Sequence, residues 1–326
     1  MKDIEMHKSL DHMKIFTGNA NPELAKEICD YVGIPLGDSV VSHFSDGEIN
    51  VEIDESVRGK DVYIVQPTCE PGNDNLMELL IMIDAVRRAS ARRITAVMPY
   101  YGYARQDRKS RGREPITAKL IANLITKAGA RRVLTMDLHA QQIQGFFDIP
   151  VDNMLGNPLF TKYYMSKFDE KIYNHDDFCV VSPDVGSVAR SRAFAAKVHM
   201  GLSIVDKRRQ RANMCEVMNI IGDVEGKTCI LFDDIVDTAG SLCNAAEAIK
   251  TIGKAKAVYA CASHGVLSGN ATQRIEDSCI EELMVLNTIP LPADYTGKKI
   301  HQLDASPIFA KAITRIYNET SISSLF

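Results

Sequence analysis

Two adjacent aspartates followed by a turn of small residues form the clearest candidate for a chemical site. Asp233 and Asp234 follow the apolar run from Thr228 to Phe232, and the turn leads into a helical pattern from Leu242 to Ile252. In an open α/β sheet, ligands bind at the carboxyl ends of the strands, and a helix that begins there offers free backbone N–H groups to an anion. The candidate residues are Asp233, Asp234, Asp237, Thr238, Ala239, Gly240 and Ser241.

This combination suits a sugar phosphate. The carboxylates accept hydrogen bonds from vicinal hydroxyls, while the backbone amides and the hydroxyls of Thr238 and Ser241 donate to the phosphate. The simpler alternative is an acidic strand end followed by an ordinary capped helix. Three acids around one glycine turn favour the sugar phosphate site.

Two segments concentrate positive charge. Five cations lie between Arg105 and Arg113, and four lie between Lys207 and Arg211. On charge alone, such segments are typical of solvated loops or nucleic-acid contacts. The formal net charge of −4 gives no overall attraction to nucleic acid, so we expect no nucleic-acid partner.

Two single residues follow predicted strands. His139 comes after the run Val133 to Met136, and Asp184 comes after Cys179 to Val181. A lone histidine at such a position is most often a hydrogen-bonded structural residue, and a lone aspartate is most often a helix cap. Residue type and position alone therefore leave a metal or phosphate role open for both.

An α/β fold would bring these residues to the edge of a sheet. Short apolar runs rich in β-branched residues predict strands at 62–65, 94–98, 133–136, 179–181, 228–232, 257–261 and 283–286. Helical patterns lie between several of them, which favours mostly parallel sheets flanked by helices. The length of 326 residues suggests two domains, with a boundary in the turn-rich stretch from Pro150 to Pro158. A last helix is expected from Ser306 to Ile316.

Composition limits the environment of the protein. No apolar run approaches the roughly 20 residues that cross a bilayer, and Met1 to Lys14 lacks the apolar core of a signal peptide. The eight cysteines include no Cys-x-x-Cys pair, which favours buried, reduced thiols over a metal site or disulfides. We therefore expect a cytoplasmic protein without a membrane partner.

The stretch from Thr228 to Ser241 resembles the ribose 5-phosphate motif of type I phosphoribosyltransferases and of ribose-phosphate diphosphokinases. Other motifs favour the diphosphokinases of the class I type, namely Phe44-Ser-Asp-Gly-Glu48, Pro99 to Arg113, Asp137-Leu-His139, Ser182-Pro-Asp184 and Asp206-Lys-Arg-Arg209. The resemblance covers nearly the whole chain; residues 1–12 and part of 160–178 match poorly. It implies two phosphoribosyltransferase-like domains at 13–155 and 156–302, with the segment 303–326 packing on the first.

The resemblance also implies a reaction and a role for each motif. The diphosphoryl group of MgATP would pass to the C1 hydroxyl of ribose 5-phosphate, giving 5-phospho-α-D-ribose 1-diphosphate and AMP. Phe44 would stack on adenine, with Asp46, Gly47 and Glu48 contacting the base and Arg105 and Gln106 contacting the nucleotide. His139 and Asp184 would lie at Mg²⁺, and Lys207 and Arg209 would act on the reacting phosphates. Arg209 would also join the Asp233 to Ser241 segment at ribose 5-phosphate.

Two other functions stay open. A phosphoribosyltransferase would consume the diphosphate product and would leave Phe44 and Arg105 without a role. A catalytically silent homologue would regulate an active partner, but its Lys-x-Arg motif is typically disturbed, whereas Lys207 and Arg209 are intact here. The resemblance further implies a homo-oligomer, a hexamer built from dimers, regulated by phosphate and ADP.

Three positions depart from the family pattern. Ser187 replaces a usual glycine after Ser-Pro-Asp, and we expect its side chain to crowd the nearby turn. Ser241 replaces a threonine and keeps the hydroxyl. Asp304 stands where a serine usually contacts regulatory phosphate, and a carboxylate repels that anion, although Ser56 and Arg58 remain. Phosphate activation is therefore left open.

Overall fold

The computed structural model describes residues 9–168, 175–208 and 217–325. The chain divides into two compact units: Met1–Leu155 with Thr288–Pro290 and Asp304–Phe326, and Gly156–Asn287 with Leu291–Leu303. Each unit combines a mostly parallel sheet with helices. The predicted α/β class is confirmed.

The strands in chain order are β1 (Met13–Thr17), β2 (Ser39–His43), β3 (Ile49–Ile53), β4 (Asp61–Val65), β5 (Arg93–Met98), β6 (Arg132–Met136), β7 (Val151–Met154), β8 (Phe178–Ser182), β9 (Gly201–Arg208), β10 (Val217–Ile221), β11 (Thr228–Val236), β12 (Ala257–Gly265), β13 (Ile280–Leu286) and β14 (Ile300–Leu303). The α-helices are α1 (Pro22–Val32), α2 (Gly72–Arg88), α3 (Thr117–Ala128), α4 (Asn157–Lys167), α5 (Val188–Lys197), α6 (Gly240–Thr251), α7 (Ala271–Glu276) and α8 (Ser306–Tyr317). All seven predicted runs lie within strands.

The sheet of the first unit has the strand order β1-β4-β5-β6-β7, and its strands pair in parallel. Strands β2 and β3 form a separate antiparallel hairpin. One face of α2 packs into the core, where Leu76, Leu79, Ile83 and Val86 are buried. The last helix ends one residue beyond the prediction, at Tyr317, and packs against α1.

In the second unit the strand order is β10-β9-β8-β11-β12-β13-β14. The pair β10–β9 is antiparallel and the other pairs are parallel. Because β9, β8 and β11 are parallel neighbours, the segments that follow them leave from one edge of the sheet. The same reasoning applies to β5 and β6 in the first unit.

Cysteine burial and helix hydropathy bear on the expected environment. The seven cysteines in the described ranges are free, and all except Cys279 are buried. Within the part of the chain that the structure describes, none of the helices has the length and apolar character needed to cross a bilayer.

Candidate active site

The segment that is predicted to bind an anion forms the turn between β11 and α6. Strand β11 continues through Asp233 and Asp234 to Val236, so Asp237 begins the turn. Ala239 has a left-handed backbone with φ of 59°, and α6 then begins at Gly240 without a side-chain cap. The uncapped first turn presents backbone N–H groups and the positive end of the helix dipole, which suits a phosphate. A left-handed alanine costs roughly 1 kcal/mol, so its neighbours must hold the turn in this conformation.

Contacts from the segment after β12 hold this turn. The N–H of Leu267 donates to the carbonyl of Val236 at 3.0 Å, and the N–H of Ser268 donates to that of Asp237 at 3.1 Å. The guanidinium of Arg274, on α7, donates to the carbonyl of Thr238. A cation therefore lies beside the predicted phosphate cradle.

The acid pair differs in burial and in partners. Asp234 is buried, with 3% of its surface exposed, whereas Asp233 is half-buried. Oδ1 of Asp233 accepts the hydroxyl of Ser187 at 2.7 Å and the backbone N–H of Asp234 at 2.9 Å. Oδ1 of Asp234 lies 3.1 Å from Nη1 of Arg190 on α5. Helix α5 and the residue that precedes it therefore contribute to the environment of both acids.

The protonation of Asp233 depends on its burial and on the neighbouring Asp234. Burial raises the pKa of Asp233 to about 7, and the neighbouring charge of Asp234 adds to this rise. Hydrogen bonds from the hydroxyl of Ser187 and the N–H of Asp234 act in the opposite direction. The Asp233 carboxyl therefore keeps its proton to a higher pH than an ordinary aspartate, and a ligand that donates hydrogen bonds favours the carboxylate.

Asp184 lies in the loop between β8 and α5, next to this acid pair. Its Oδ1 accepts the backbone N–H of Ser187 at 2.9 Å, and its carbonyl accepts the hydroxyl of Ser182 at 2.7 Å. One carboxylate oxygen thus stabilises the start of α5, as in the capping alternative. Ser187 connects Asp184 to Asp233, so the structure brings these two predicted site residues together.

The expected crowding by Ser187 is not observed. Its φ of −90° is accessible to any residue, and its buried side chain makes the hydrogen bond to Asp233. The buried hydroxyl of Ser187 is accommodated because Asp233 accepts its hydrogen bond.

The two predicted catalytic residues fall at the limit of the described chain. The backbone of Lys207 belongs to β9 and pairs with Met218 of β10. Arg209 lies outside the described residues. Since β9 runs parallel to β8, its carboxyl end with Lys207 lies at the sheet edge that carries Asp184.

The predicted adenine motif occupies the tip of the β2–β3 hairpin. The N–H of Phe44 donates to the carbonyl of Glu48 at 2.8 Å, and Gly47 allows the turn with φ of 91°. Oδ1 of Asp46 accepts the N–H of Glu48 at 3.1 Å. The residues from Phe44 to Glu48 are all exposed, and Phe44 itself is 54% exposed. An aromatic ring at this tip is accessible to a planar base.

The nucleotide and histidine motifs follow adjacent strands. Arg105 and Gln106 come after β5, where the carbonyl of Gln106 accepts the N–H of Ala118 at 3.2 Å. His139 is half-buried and comes after β6. The side chain of Gln142 donates to Asp107 at 3.0 Å and joins the two segments. The structure thus brings the Arg105 and His139 segments together, while Phe44 lies on the separate hairpin.

Sequence patterns missed three residues of this site, namely Ser187, Arg190 and Arg274. Each lies on or next to a helix distant in sequence from β11, and each contacts the β11–α6 segment. The family motif pointed to Ser187 only as a departure. Arg190 follows Ser187 by three residues, a spacing that places both on one helical face, but the acids that they contact depend on the strand order.

Among the residues that the structure describes, no group of three or more histidines, cysteines or acids could hold a metal ion. His139 belongs to the first unit and Asp184 to the second.

Comparisons with known proteins match both units. The family model described as the N-terminal domain of ribose phosphate pyrophosphokinase matches residues 13–129, and that of the phosphoribosyl synthetase-associated domain matches residues 209–326. The chain is 60% identical over 321 residues to the ribose-phosphate pyrophosphokinase of Clostridium perfringens, covering 98% of this chain and 99% of the relative. The corresponding protein of Bacillus subtilis is 54% identical over 315 residues, covering 97% of each.

A solved structure agrees with these relatives. The phosphoribosylpyrophosphate synthetase of Mycobacterium smegmatis is 41% identical and superposes with a TM-score of 0.88. The match covers 94% of this chain and 99% of that one. Because sequence, fold and almost the full length of these relatives agree, the chain belongs to the ribose-phosphate pyrophosphokinase family.

Proposed function

We propose that the protein transfers the diphosphoryl group of MgATP to the C1 hydroxyl of ribose 5-phosphate, giving 5-phospho-α-D-ribose 1-diphosphate and AMP. The observation that carries this proposal is the β11–α6 segment, where the pair Asp233–Asp234 precedes an uncapped helix start. Membership of the ribose-phosphate pyrophosphokinase family supports the same reaction. We also propose that the two compact units correspond to the two expected domains.

Ribose 5-phosphate would bind along this segment. Asp233 and Asp234 would accept hydrogen bonds from its ring hydroxyls, and the turn from Asp237 to Ser241 would hold its phosphate. Thr238 and Ser241 are exposed, so their hydroxyls are accessible to such a ligand. The guanidinium of Arg274, which donates to Thr238, adds positive charge beside the phosphate.

The nucleotide would use the motifs of the first unit. The exposed ring of Phe44 offers a stacking face for adenine, and Asp46 with Glu48 offers acceptors for its exocyclic amine. Arg105 and Gln106 would contact the nucleotide, because a guanidinium pairs with phosphate through two parallel hydrogen bonds.

Magnesium fits the residues present if it arrives with the nucleotide. Mg²⁺ keeps several waters and needs only one or two protein carboxylates when phosphate oxygens supply other ligands. Asp184 and His139 would approach this ion, which neutralises charge on the phosphates when bound.

The transfer requires positioning and charge stabilisation more than covalent chemistry. The C1 oxygen forms a bond to the β-phosphorus as the bond from that phosphorus to the α-phosphate oxygen breaks. AMP leaves with the electron pair, and the hydroxyl proton passes to water. Lys207 and Arg209 would stabilise the charge that develops on the transferring and leaving oxygens.

Assembly and regulation rest on the family resemblance. We propose a homo-oligomer, a hexamer built from dimers, located in the cytoplasm; the buried free thiols fit a reducing compartment. Oδ1 of Asp304 accepts the N–H of Ser306 at 2.8 Å and its hydroxyl at 2.5 Å, so this carboxylate supports the start of α8. From the same resemblance we propose regulation by phosphate and ADP, although the negative charge of Asp304 repels a phosphate that binds nearby.

A coupled assay tests the reaction. ATP, Mg²⁺ and ribose 5-phosphate together should yield AMP and the phosphoribosyl diphosphate in equal amounts, and omission of any one should stop both. A phosphoribosyltransferase would release no AMP under these conditions. Release of ADP instead of AMP would contradict the proposed diphosphoryl transfer.

A further inference from the structure

We propose that Ser187 is a positioning residue for the sugar site, whose hydroxyl holds the carboxylate of Asp233 in the orientation that accepts the ribose hydroxyls. This inference rests on the proposed binding of ribose 5-phosphate by Asp233. It assigns a role to the side chain of Ser187, which is absent from the family pattern because that pattern has glycine at this position.

The position of Ser187 is fixed from two sides. Its hydroxyl donates to Oδ1 of Asp233 at 2.7 Å, while its backbone N–H donates to Oδ1 of Asp184 at 2.9 Å. It is 5% exposed, and its carbonyl accepts the N–H of Ser191 at 3.0 Å within the start of α5. A hydroxyl on such a constrained backbone acts as a fixed donor, because few other positions are accessible to it.

Among the residues that the structure describes, two donors set the orientation of the Asp233 carboxylate. Besides the hydroxyl of Ser187, the N–H of Asp234 donates to the same Oδ1 at 2.9 Å. The N–H is part of β11 and would remain after any change at Ser187. Loss of the hydroxyl would therefore leave the carboxylate held by one donor, free to rotate about that contact.

The charged surroundings make this donor more important. Asp234 presents a like charge on the same strand, and its compensating cation, Arg190, lies 3.1 Å from Asp234 on α5. Asp184 adds another carboxylate from the loop before α5. On the neighbouring β12, Cys261 pairs with Phe232, and burial raises the pKa of its thiol well above its usual range, so this group is neutral. Ser187 thus supplies a hydrogen-bond donor to an acid that has other acids as neighbours.

The connection also links two parts of the proposed reaction. Asp184 follows β8 and would approach the nucleotide-bound magnesium, whereas Asp233 follows the neighbouring β11 and would bind the sugar. A single residue bonded to both keeps the two strand ends at a constant separation. The side chain of Ser187 contacts only Asp233 of these two acids, since the contact to Asp184 is made by the backbone N–H. We therefore expect loss of the hydroxyl to affect binding of the sugar phosphate rather than binding of ATP.

Steady-state kinetics of Ser187→Ala test this role. At saturating MgATP, the KM for ribose 5-phosphate should rise about tenfold, the effect of losing one hydrogen bond to a charged group. The KM for ATP should change less than about twofold. Ser187→Thr keeps a hydroxyl and should restore most of the affinity for ribose 5-phosphate.

Ser191→Ala is the matched control. Ser191 is also buried on α5, but its hydroxyl donates to the backbone carbonyl of Phe232 at 3.1 Å instead of a carboxylate. The Ser191→Ala variant should lower the unfolding temperature about as much as Ser187→Ala does, and it should leave the KM for ribose 5-phosphate unchanged. Equal KM values for wild type and Ser187→Ala would overturn the inference, as would an equal rise in Ser191→Ala.

Calorimetry separates this inference from the proposed reaction. Wild-type protein should bind ribose 5-phosphate about tenfold more tightly than folded Ser187→Ala. If the wild type releases no AMP but shows this difference, the reaction fails and the positioning role stands. If AMP is released and both proteins bind the sugar phosphate equally, the positioning role fails alone.

Discussion

The guanidinium of Arg190 lies 3.1 Å from the carboxylate of Asp234, and this contact joins α5 to β11. The side chain of Asp234 is almost completely buried, whereas a quarter of the Arg190 side chain is exposed. A buried carboxylate is costly unless a cation or hydrogen-bond donors compensate it. The pair therefore stabilises the acid that the proposed function assigns to the sugar.

Replacement of this cation should weaken the fold. We expect Arg190→Met to lower the free energy of unfolding by about 2 kcal/mol, less than for a fully buried pair because Arg190 is partly exposed. Chemical denaturation measures this loss, and Arg192→Met on the exposed face of the same helix is the control. A loss no larger than that of the control would show that Arg190 does not compensate Asp234.

The raised pKa of Asp233 predicts a pH-dependent stability. Its pKa of about 7 exceeds the value near 3.9 expected in the unfolded chain, so the folded state binds more protons between about pH 4 and pH 7. The contribution of this carboxyl to stability therefore falls as pH rises through that window.

Asp233→Asn removes this dependence. We expect the variant to gain unfolding temperature over wild type at pH 8 and to lose that gain at pH 4.5. Thermal unfolding at the two pH values measures the difference, with the exposed Asp277→Asn as control. A gain of the same size at both pH values would contradict a raised pKa.

A side chain added at the start of α6 should lower the affinity for ribose 5-phosphate without disturbing the fold. A Cβ at Gly240 would lie 3.4 Å from Nη1 of Arg274 and 3.8 Å from Oγ1 of Thr238, which are ordinary contacts. Gly240→Ala should therefore fold normally, but its methyl group would narrow the phosphate cradle and raise the KM for ribose 5-phosphate at least about tenfold.

Gly72→Ala provides the matched control for this experiment. Gly72 is the first residue of α2, and an added Cβ there has no atom within 4 Å. Kinetics and thermal unfolding of both variants should show a KM effect only at Gly240. Unchanged affinity in Gly240→Ala would place the phosphate elsewhere.

Replacement of Phe44 at the exposed tip of the β2–β3 hairpin should affect binding of the nucleotide and not the stability of the fold. Phe44→Ala should raise the KM for ATP about tenfold, since base–aromatic stacking contributes roughly 1–3 kcal/mol. The unfolding temperature should stay constant because more than half of Phe44 is exposed and the ring contributes little to packing. Tyr31→Ala, which removes a ring that is 61% exposed on α1, should leave the KM for ATP unchanged.

Replacement of Lys207, near the end of β9, should affect turnover. Lys207→Ala should lower kcat at least about a hundredfold with little change in the KM for ATP, as expected for a transition-state contact. Lys197→Ala, which removes an exposed lysine of α5, should keep normal turnover. Full activity in Lys207→Ala would exclude the proposed role.

Local patterns predicted much of the framework. The seven apolar runs lie within β4, β5, β6, β8, β11, β12 and β13, because each is a continuous buried strand with a strong local signal. The hairpin β2–β3 and the strands β1, β7, β9, β10 and β14 lie outside those runs. Residues of β2 and β3 are mostly half-buried or exposed, so their hydrophobic pattern is weak.

The sequence by itself determined the α/β class, the motifs and the family, since these depend on residue types at short spacing. Only the tertiary structure decided that Ser187 contacts Asp233 and that Arg274 contacts Thr238. The physical reason is the strand order: β8 pairs with β11 although β9 and β10 lie between them in the chain. Such pairing places side chains from distant segments at one sheet edge, and no local spacing encodes it.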